Sequence, residues 1–228
     1  PRLTRIANFD DFDPLMSEPD VFIKIIEAGQ PLPLDADIII IPGSKSTISD
    51  LNDLRRFGWD IDILAHHRHG GIIVGICGGF QILGKSIDDP NGIEGLPGRV
   101  KGLGLLDIST IINGNKVLEK VEGVDLATGA QFSGYEMHIG KTTGSDLDRP
   151  WLQISGYRNE GACSASGSVF GAYVHGLFSM DSFRQSFLSR CRSGQIIKSS
   201  YEVKIENALD MLGKNVEKYL DFESLAEL

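Results

Sequence analysis

The sequence predicts an α/β fold, with a central, mostly parallel sheet flanked by helices and a mixed or antiparallel extension. Three observations carry this. In the first half, short β-rich runs alternate with helical patterns, as parallel strands joined by crossover helices require. Two of those runs, residues 37–41 (apolar throughout after Asp37) and 71–74, read as continuous apolar strands, the pattern of strands buried on both faces. Between residues 103 and 178 the period changes to short strands set off by Gly, Asn and Ser turns.

In chain order, strands are expected at 3–7, 21–27, 37–41 and 71–74, with helices at 46–57 and 60–69. Ser46 or Thr47 supplies the cap of the first of these helices. Strands then follow at 105–112, 131–138, 151–155 and 168–174, and helices at 181–190 and 201–222. In the last helix Ile205, Ala208, Leu209, Leu212, Val216, Tyr219 and Leu220 recur at helical spacing, so one apolar face is expected to pack on the sheet, with partner binding as the alternative. No repeat, low-complexity tract or linker divides the 228 residues, so a single domain is expected, large enough to need no disulfide or metal staple.

Charge narrows the partners. With 22 Lys and Arg against 31 Asp and Glu the net charge is -9, which gives no broad basic surface for nucleic acid or anionic lipid. The three cysteines, Cys77, Cys163 and Cys191, are odd in number and form no C-x-x-C pair, which fits a reducing compartment. The longest apolar run near the start, 38–41, is far short of a membrane span, and no signal-peptide pattern opens the chain, so a cytoplasmic location is expected. The chain begins at Pro1 and passes almost directly into a strand-like run, from which it is expected to be a piece of a longer protein.

The strongest local signal is Gly71-Ile72-Ile73-Val74-Gly75-Ile76-Cys77-Gly78-Gly79-Phe80-Gln81, a buried strand running through G-x-C-x-G into a helix. This is a nucleophile elbow with sulfur in place of oxygen. The sharp turn needs small residues two before and two after the nucleophile, here Gly75 and Gly79. Cys77 then stands at a helix N-terminus, where free N–H groups and the macrodipole favour a thiolate, and the N–H of Gly78 points to where an oxyanion would form. The alternative is a buried Cys in a phosphate-binding or merely packed turn. The candidate base is His175, at the strand end Tyr173-Val174-His175-Gly176. The turn Pro42-Gly43-Ser44-Lys45-Ser46-Thr47 is no ATP loop, because Ser follows Gly43 and Ile38 stands five residues before it; it suits a strand-end turn completing an oxyanion hole.

Together with Asn8-Phe9-Asp10-Asp11-Phe12-Asp13-Pro14, Gly134-Tyr135-Glu136-Met137-His138-Ile139-Gly140 and His175-Gly176-Leu177-Phe178, these motifs resemble the class I glutamine amidotransferases, and the last two resemble their cobalamin-pathway branch. The resemblance spans nearly the whole chain. It implies a flavodoxin-like domain that hydrolyses glutamine and passes ammonia to an ATP-dependent synthetase domain. That partner would amidate a corrinoid acceptor, adenosylcobyrinic acid a,c-diamide, with ATP and Mg²⁺; no cofactor is expected in this chain. By position, Cys77 resembles the nucleophile, His175 the general acid and base, Gly43 and Gly78 the oxyanion hole, and Gln81 a glutamine contact. Tyr135, Glu136 and His138 are the further substrate-binding candidates. The superfamily's Glu two residues after the His is replaced by Leu177, which leaves Glu136 as candidate orienting group, with substrate contact or a surface carboxylate as its alternatives. A related glutaminase serving cobyrinic acid a,c-diamide synthesis or cell-wall precursor amidation, and a non-catalytic glutamine-binding or docking module, are the competing readings.

Two clusters lie outside these motifs. His66, His67 and His69 suit a helix C-terminus and have no carboxylate or Cys at ligand spacing, so no metal site is expected. Asp10, Asp11, Asp13, Glu18 and Asp20 read as a solvated turn with helix capping, or else as an interface to the synthetase domain.

Overall fold

A computed structural model describes residues 1–191 and 200–219. It opens with strand β1 (Ile6–Ala7), a 3-10 turn (Phe9–Phe12) and a short helix α1 (Asp13–Met16). Next come β2 (Ile38–Ile41), β3 (Gly43–Ser44), α2 (Thr47–Arg56), α3 (Trp59–Arg68), β4 (Ile72–Ile76) and α4 (Gly78–Leu83). The second half contains β5 (Ser86–Asp89), β6 (Gly98–Lys101), β7 (Ser109–Asp125), β8 (Gln131–Thr143), β9 (Leu152–Ile154), β10 (Arg158–Glu160), β11 (Ala162–Cys163), β12 (Val169–Ala172) and β13 (Val174–His175). Helices α5 (Asp181–Leu188) and α6 (Tyr201–Glu217) follow.

The apolar runs form the central sheet. Its strands lie in the order β11-β12-β4-β2, with β2, β4 and β12 parallel and β11 antiparallel at one edge. Ile39, Ile41, Ile73, Val74, Ile76 and Val169 are buried in it, each full burial contributing about 1.5–3 kcal/mol. Leu51 and Leu54 of α2, Trp59 and Ile63 of α3, and Phe80, Ile82 and Leu83 of α4 are buried with them. A mixed second sheet is built around the long β7–β8 hairpin, in which β13 pairs with β8. Consecutive strands β12 and β13 therefore belong to different sheets, and the chain crosses between them at Tyr173.

Three expectations are corrected. Residues 21–27 form no strand: Ile26 is buried and its carbonyl accepts from Arg2 N at 2.9 Å, but no ladder forms. Alternating apolar residues can anchor an extended segment without pairing it. The strand expected at 3–7 shrinks to β1, which pairs antiparallel with β3 instead of joining the parallel sheet; buried Asp50 fixes this corner, accepting from Arg5 N at 3.0 Å and Ser44 Oγ at 2.6 Å. The apolar stripe of α6 does not pack on the sheet, since no residue of that helix is buried and Val203, Ile205, Leu209, Leu212, Val216 and Tyr219 beyond its end are exposed. Helical spacing shows which side chains share a face but not what covers it. Residues 220–222 of the expected helix lie outside the described residues.

Candidate active site

The site forms where β4 turns into α4. Cys77, at the N-terminus of α4, has φ 51° and ψ -108°, a conformation that costs a non-glycine residue about 1–3 kcal/mol. The turn is closed by contact: a Cβ on Gly75 would lie 2.6 Å from Gly79 C, and one on Gly79 only 2.1 Å from Ile41 O. The buried Cys77 is held by its N–H on Ala172 O at 2.8 Å and by its Sγ, which donates to Met137 O at 3.2 Å.

His175 arrives from the other sheet. Directly opposite it on β8 is Tyr135, and the two rings stack at 5.4 Å. Gly43 completes the cluster, because a Cβ there would lie 2.8 Å from His175 Cε1 and 3.6 Å from Cys77 Cβ. A Cβ on Gly78 would lie 2.9 Å from Ser44 N, so the β3 turn and the start of α4 meet beside the thiol. Cys77, His175, Gly43, Gly78 and Tyr135 thus converge from β4, β13, β3, α4 and β8.

The carboxylate that holds His175 is Asp11. Its Oδ2 accepts from His175 Nδ1 at 2.7 Å and its Oδ1 from Gly176 N at 2.7 Å, and both side chains are buried. That bond sets Nδ1 as the protonated nitrogen and leaves Nε2, buried and without a hydrogen-bond partner, as the free end of the ring. Burial disfavours the imidazolium, but the hydrogen bond to Asp11 and the negative charges of Asp11 and Cys77 outweigh it and push the His175 pKa up to about 9.

Glu136 is not the group that orients His175. Adjacent strand residues face opposite ways, so with Tyr135 on the His175 ring, Glu136 points to the other side of β8, where Arg158 grips it at 2.8 and 3.1 Å. His138 shares that side, half-buried, its ring stacked on Tyr173 at 3.8 Å, and burial lowers its pKa. The buried Gln81 accepts from Thr47 Oγ1 at 3.1 Å and donates to Ile139 O at 3.1 Å and Tyr173 Oη at 3.2 Å, tying α2, α4 and β8 together. Leu177 is a core residue.

Sequence reasoning missed Asp11 because it lies among carboxylates that read as a solvated turn. Asp10, Asp13 and Asp20 are indeed exposed, but Asp11 and Glu18 are buried, Glu18 against Arg184 at 2.7 Å. The available signal was Phe12 beside Asp11, an apolar residue that turns that side of the 3-10 turn inward.

The chain offers no cradle for ATP phosphates at the 42–47 turn. Thr47 N, at the start of α2, already donates to Glu94 Oε2 at 2.6 Å, so a carboxylate takes the place a phosphate would need. His66 is buried with Nε2 3.2 Å from Ile72 O, and among the described residues no group of three or more His, Cys, Asp and Glu side chains is placed to hold a metal. Nor, among those residues, is any helix long and apolar enough to cross a membrane.

Residues 1–183 match the model of the CobB/CobQ-like glutamine amidotransferase domain. The chain is 53% identical over 228 residues to the cobyric acid synthase of Ruegeria sp. (strain TM1040), covering 100% of this chain and 47% of that protein. It is 48% identical over 225 residues to the cobyric acid synthase of Cereibacter sphaeroides, covering 99% of this chain and 46% of the relative. It thus spans about half the length of the curated relatives it matches. Among solved structures, PurLQS from Thermotoga maritima is similar in fold, with a TM-score of 0.57 at 20% identity over 76% of this chain and 84% of that one.

Proposed function

Because the chain belongs to the CobB/CobQ-like glutamine amidotransferase domain family, we propose that it hydrolyses glutamine at Cys77 and His175. It supplies the ammonia to an ATP-dependent synthetase domain that amidates carboxylates of adenosylcobyrinic acid a,c-diamide in cobalamin biosynthesis. The observation that carries the chemistry is a thiol on a strained elbow beside a histidine whose far nitrogen is held by Asp11. The acceptor rests on the cobyric acid synthases to which the chain is about half identical.

In this reading Nε2 of His175 takes the Cys77 proton and the thiolate attacks the side-chain amide carbon of glutamine. The N–H of Gly78 and the main chain at Gly43 hold the oxyanion. The imidazolium, stabilised by Asp11, gives its proton to the departing ammonia; His175 then deprotonates the water that cleaves the γ-glutamyl thioester. Tyr135 covers the ring. Gln81 acts on substrate through the loop it braces, and Glu136 and His138 stand one layer behind the reacting atoms.

The decisive experiment is glutamine hydrolysis by the chain and its Cys77→Ser and His175→Asn variants, with trapping of the thioester. His175→Asn is expected to lower kcat roughly 100-fold or more with the fold intact, and the same change at His66 far less. A normal rate in a folded Cys77→Ser protein would overturn the proposal.

A further inference from the structure

The crossover that delivers His175 leaves a main-chain donor without a strand partner. Up to Ala172 the chain is paired with β4, and from Val174 with β8. Between them, Tyr173 N donates to Glu160 Oε1 at 2.7 Å, a side-chain acceptor standing where a neighbouring strand would normally supply a carbonyl. The Tyr173 side chain is equally fixed, by His138 across its face, by the edge of Phe80, and through its hydroxyl by Thr142 and Gln81.

Glu160 does not stand alone. Arg158, two residues before it on β10 and on the same face, holds Glu136 in a two-point grip and lies 3.7 Å from Glu160 Oε2. Glu136 in turn is paired with Val174, the residue between Tyr173 and His175. Two buried carboxyls and one guanidinium therefore surround the three residues that end in the histidine, and neither carboxyl touches Cys77 or the His175 ring. A buried group kept at such cost needs a reason, and the mechanism above gives these none.

We propose that Glu160, with Arg158 and Glu136, is a positioning clamp that sets where His175 stands, an inference that rests on the glutaminase reading. The mechanical step is short. With the Tyr173 N–H released, the crossover loses this main-chain tie, and displacement of a catalytic group by about 1 Å costs as much as 100-fold in rate.

The clamp has a preferred protonation state. Burial, and then the negative charge of Glu136, push the Glu160 pKa up to about 7, against the pull of Tyr173 N and Arg158. The neutral acid accepts from Tyr173 through one oxygen and donates to Glu136 through the other, leaving one carboxylate for one guanidinium. The other charged or titratable groups facing the cluster are His138 of β8 and Glu119 of β7. Because the folded acid binds its proton more tightly than an unfolded Glu, the neutral clamp is intact below about 7 and weakens as pH rises through that value.

Gln at 160 copies the neutral acid, with an oxygen for Tyr173 and an amide for Glu136, whereas Ala removes both. In this chain, Glu160→Ala is expected to lower kcat for glutamine at pH 6.5 at least 10-fold while KM moves less than about threefold, and Glu160→Gln to restore most of the rate. The fall in kcat centred near pH 7 in the unmodified protein should be missing from Glu160→Gln. The low-field proton resonance of the His175 Nδ1–H···Asp11 bond should shift or broaden in Glu160→Ala and return in Glu160→Gln. That resonance reads the geometry without turnover, so absence of hydrolysis in the unmodified chain would overturn the function while leaving the clamp tested. If Glu160→Ala fails to fold, the Gln variant's rate and pH profile decide alone. A folded Ala variant with unchanged kcat and resonance, or a Gln variant as impaired as the Ala one, would overturn the clamp.

Discussion

At the residue scale the site rests on two unlike devices, a strained thiol and a restrained ring. Cys77 is set apart from the other cysteines by its surroundings: burial pushes the thiols of Cys163 and Cys191 above their ordinary range, and neither sits on a strand-to-helix elbow. A chloroketone analogue of glutamine is therefore expected to label Cys77 first near neutral pH, as peptide mapping will show, and preferential labelling of either other cysteine would contradict this. For His175 the sign of the pH dependence follows from its pKa of about 9 against the ordinary 6.5. The folded chain holds that proton more tightly, so the Asp11 and Cys77 interactions stabilise it fully below about 6.5, and this stability is lost as pH rises through about 9. Asp11→Asn keeps the size of the side chain but removes the charge. It should bring the His175 titration measured by NMR down towards 6.5 and reduce kcat by 100-fold or more, the scale of a histidine left in the wrong tautomer.

At the element scale the elbow is a packing constraint before it is a chemical one. Gly79 passes so close to the end of β2 that a methyl group would meet Ile41 O at 2.1 Å, where neither backbone can yield without opening the sheet. Gly79→Ala should cost about 3 kcal/mol or more in denaturant unfolding, as overpacking at a fixed backbone does. Gly95→Ala, which has no neighbour within 4 Å and no positive φ, should stay within about 0.5 kcal/mol. Equal effects of the two would mean that the elbow is not tight. The same scale explains α6. Its side chains repeat with helical period as cleanly as those of α2, yet α2 buries Leu51 and Leu54 and α6 buries nothing. Period is a property of the segment, and burial depends on what comes to meet it.

At the scale of the whole molecule, the chain covers about half the length of relatives such as the Ruegeria and Cereibacter cobyric acid synthases, and the 42–47 turn already holds the Glu94 carboxylate. If the proposed division of labour holds, the chain alone hydrolyses glutamine slowly and forms no amide with ATP, Mg²⁺ and acceptor, and joining it to a synthetase domain restores both. In the joined protein Cys77→Ser should abolish glutamine-dependent amidation and spare ammonium-dependent amidation; measuring the amide formed with each nitrogen donor checks this, and loss of both in a folded protein would refute it. What the sequence by itself determined is local. The apolar runs of β2 and β4, the glycines around Cys77 and the strand-end histidine are dictated by neighbours a few residues away, through period, steric room and turn chemistry. Only the tertiary structure decided the rest. Asp11 reaches His175 across 164 positions, Glu160 serves Tyr173 because the chain changes sheets there, and Tyr135 rather than Glu136 faces the ring because of the register between β8 and β13. A carboxylate in sequence is solvated unless something covers it, and whether anything does depends on contacts between distant segments that no local pattern records.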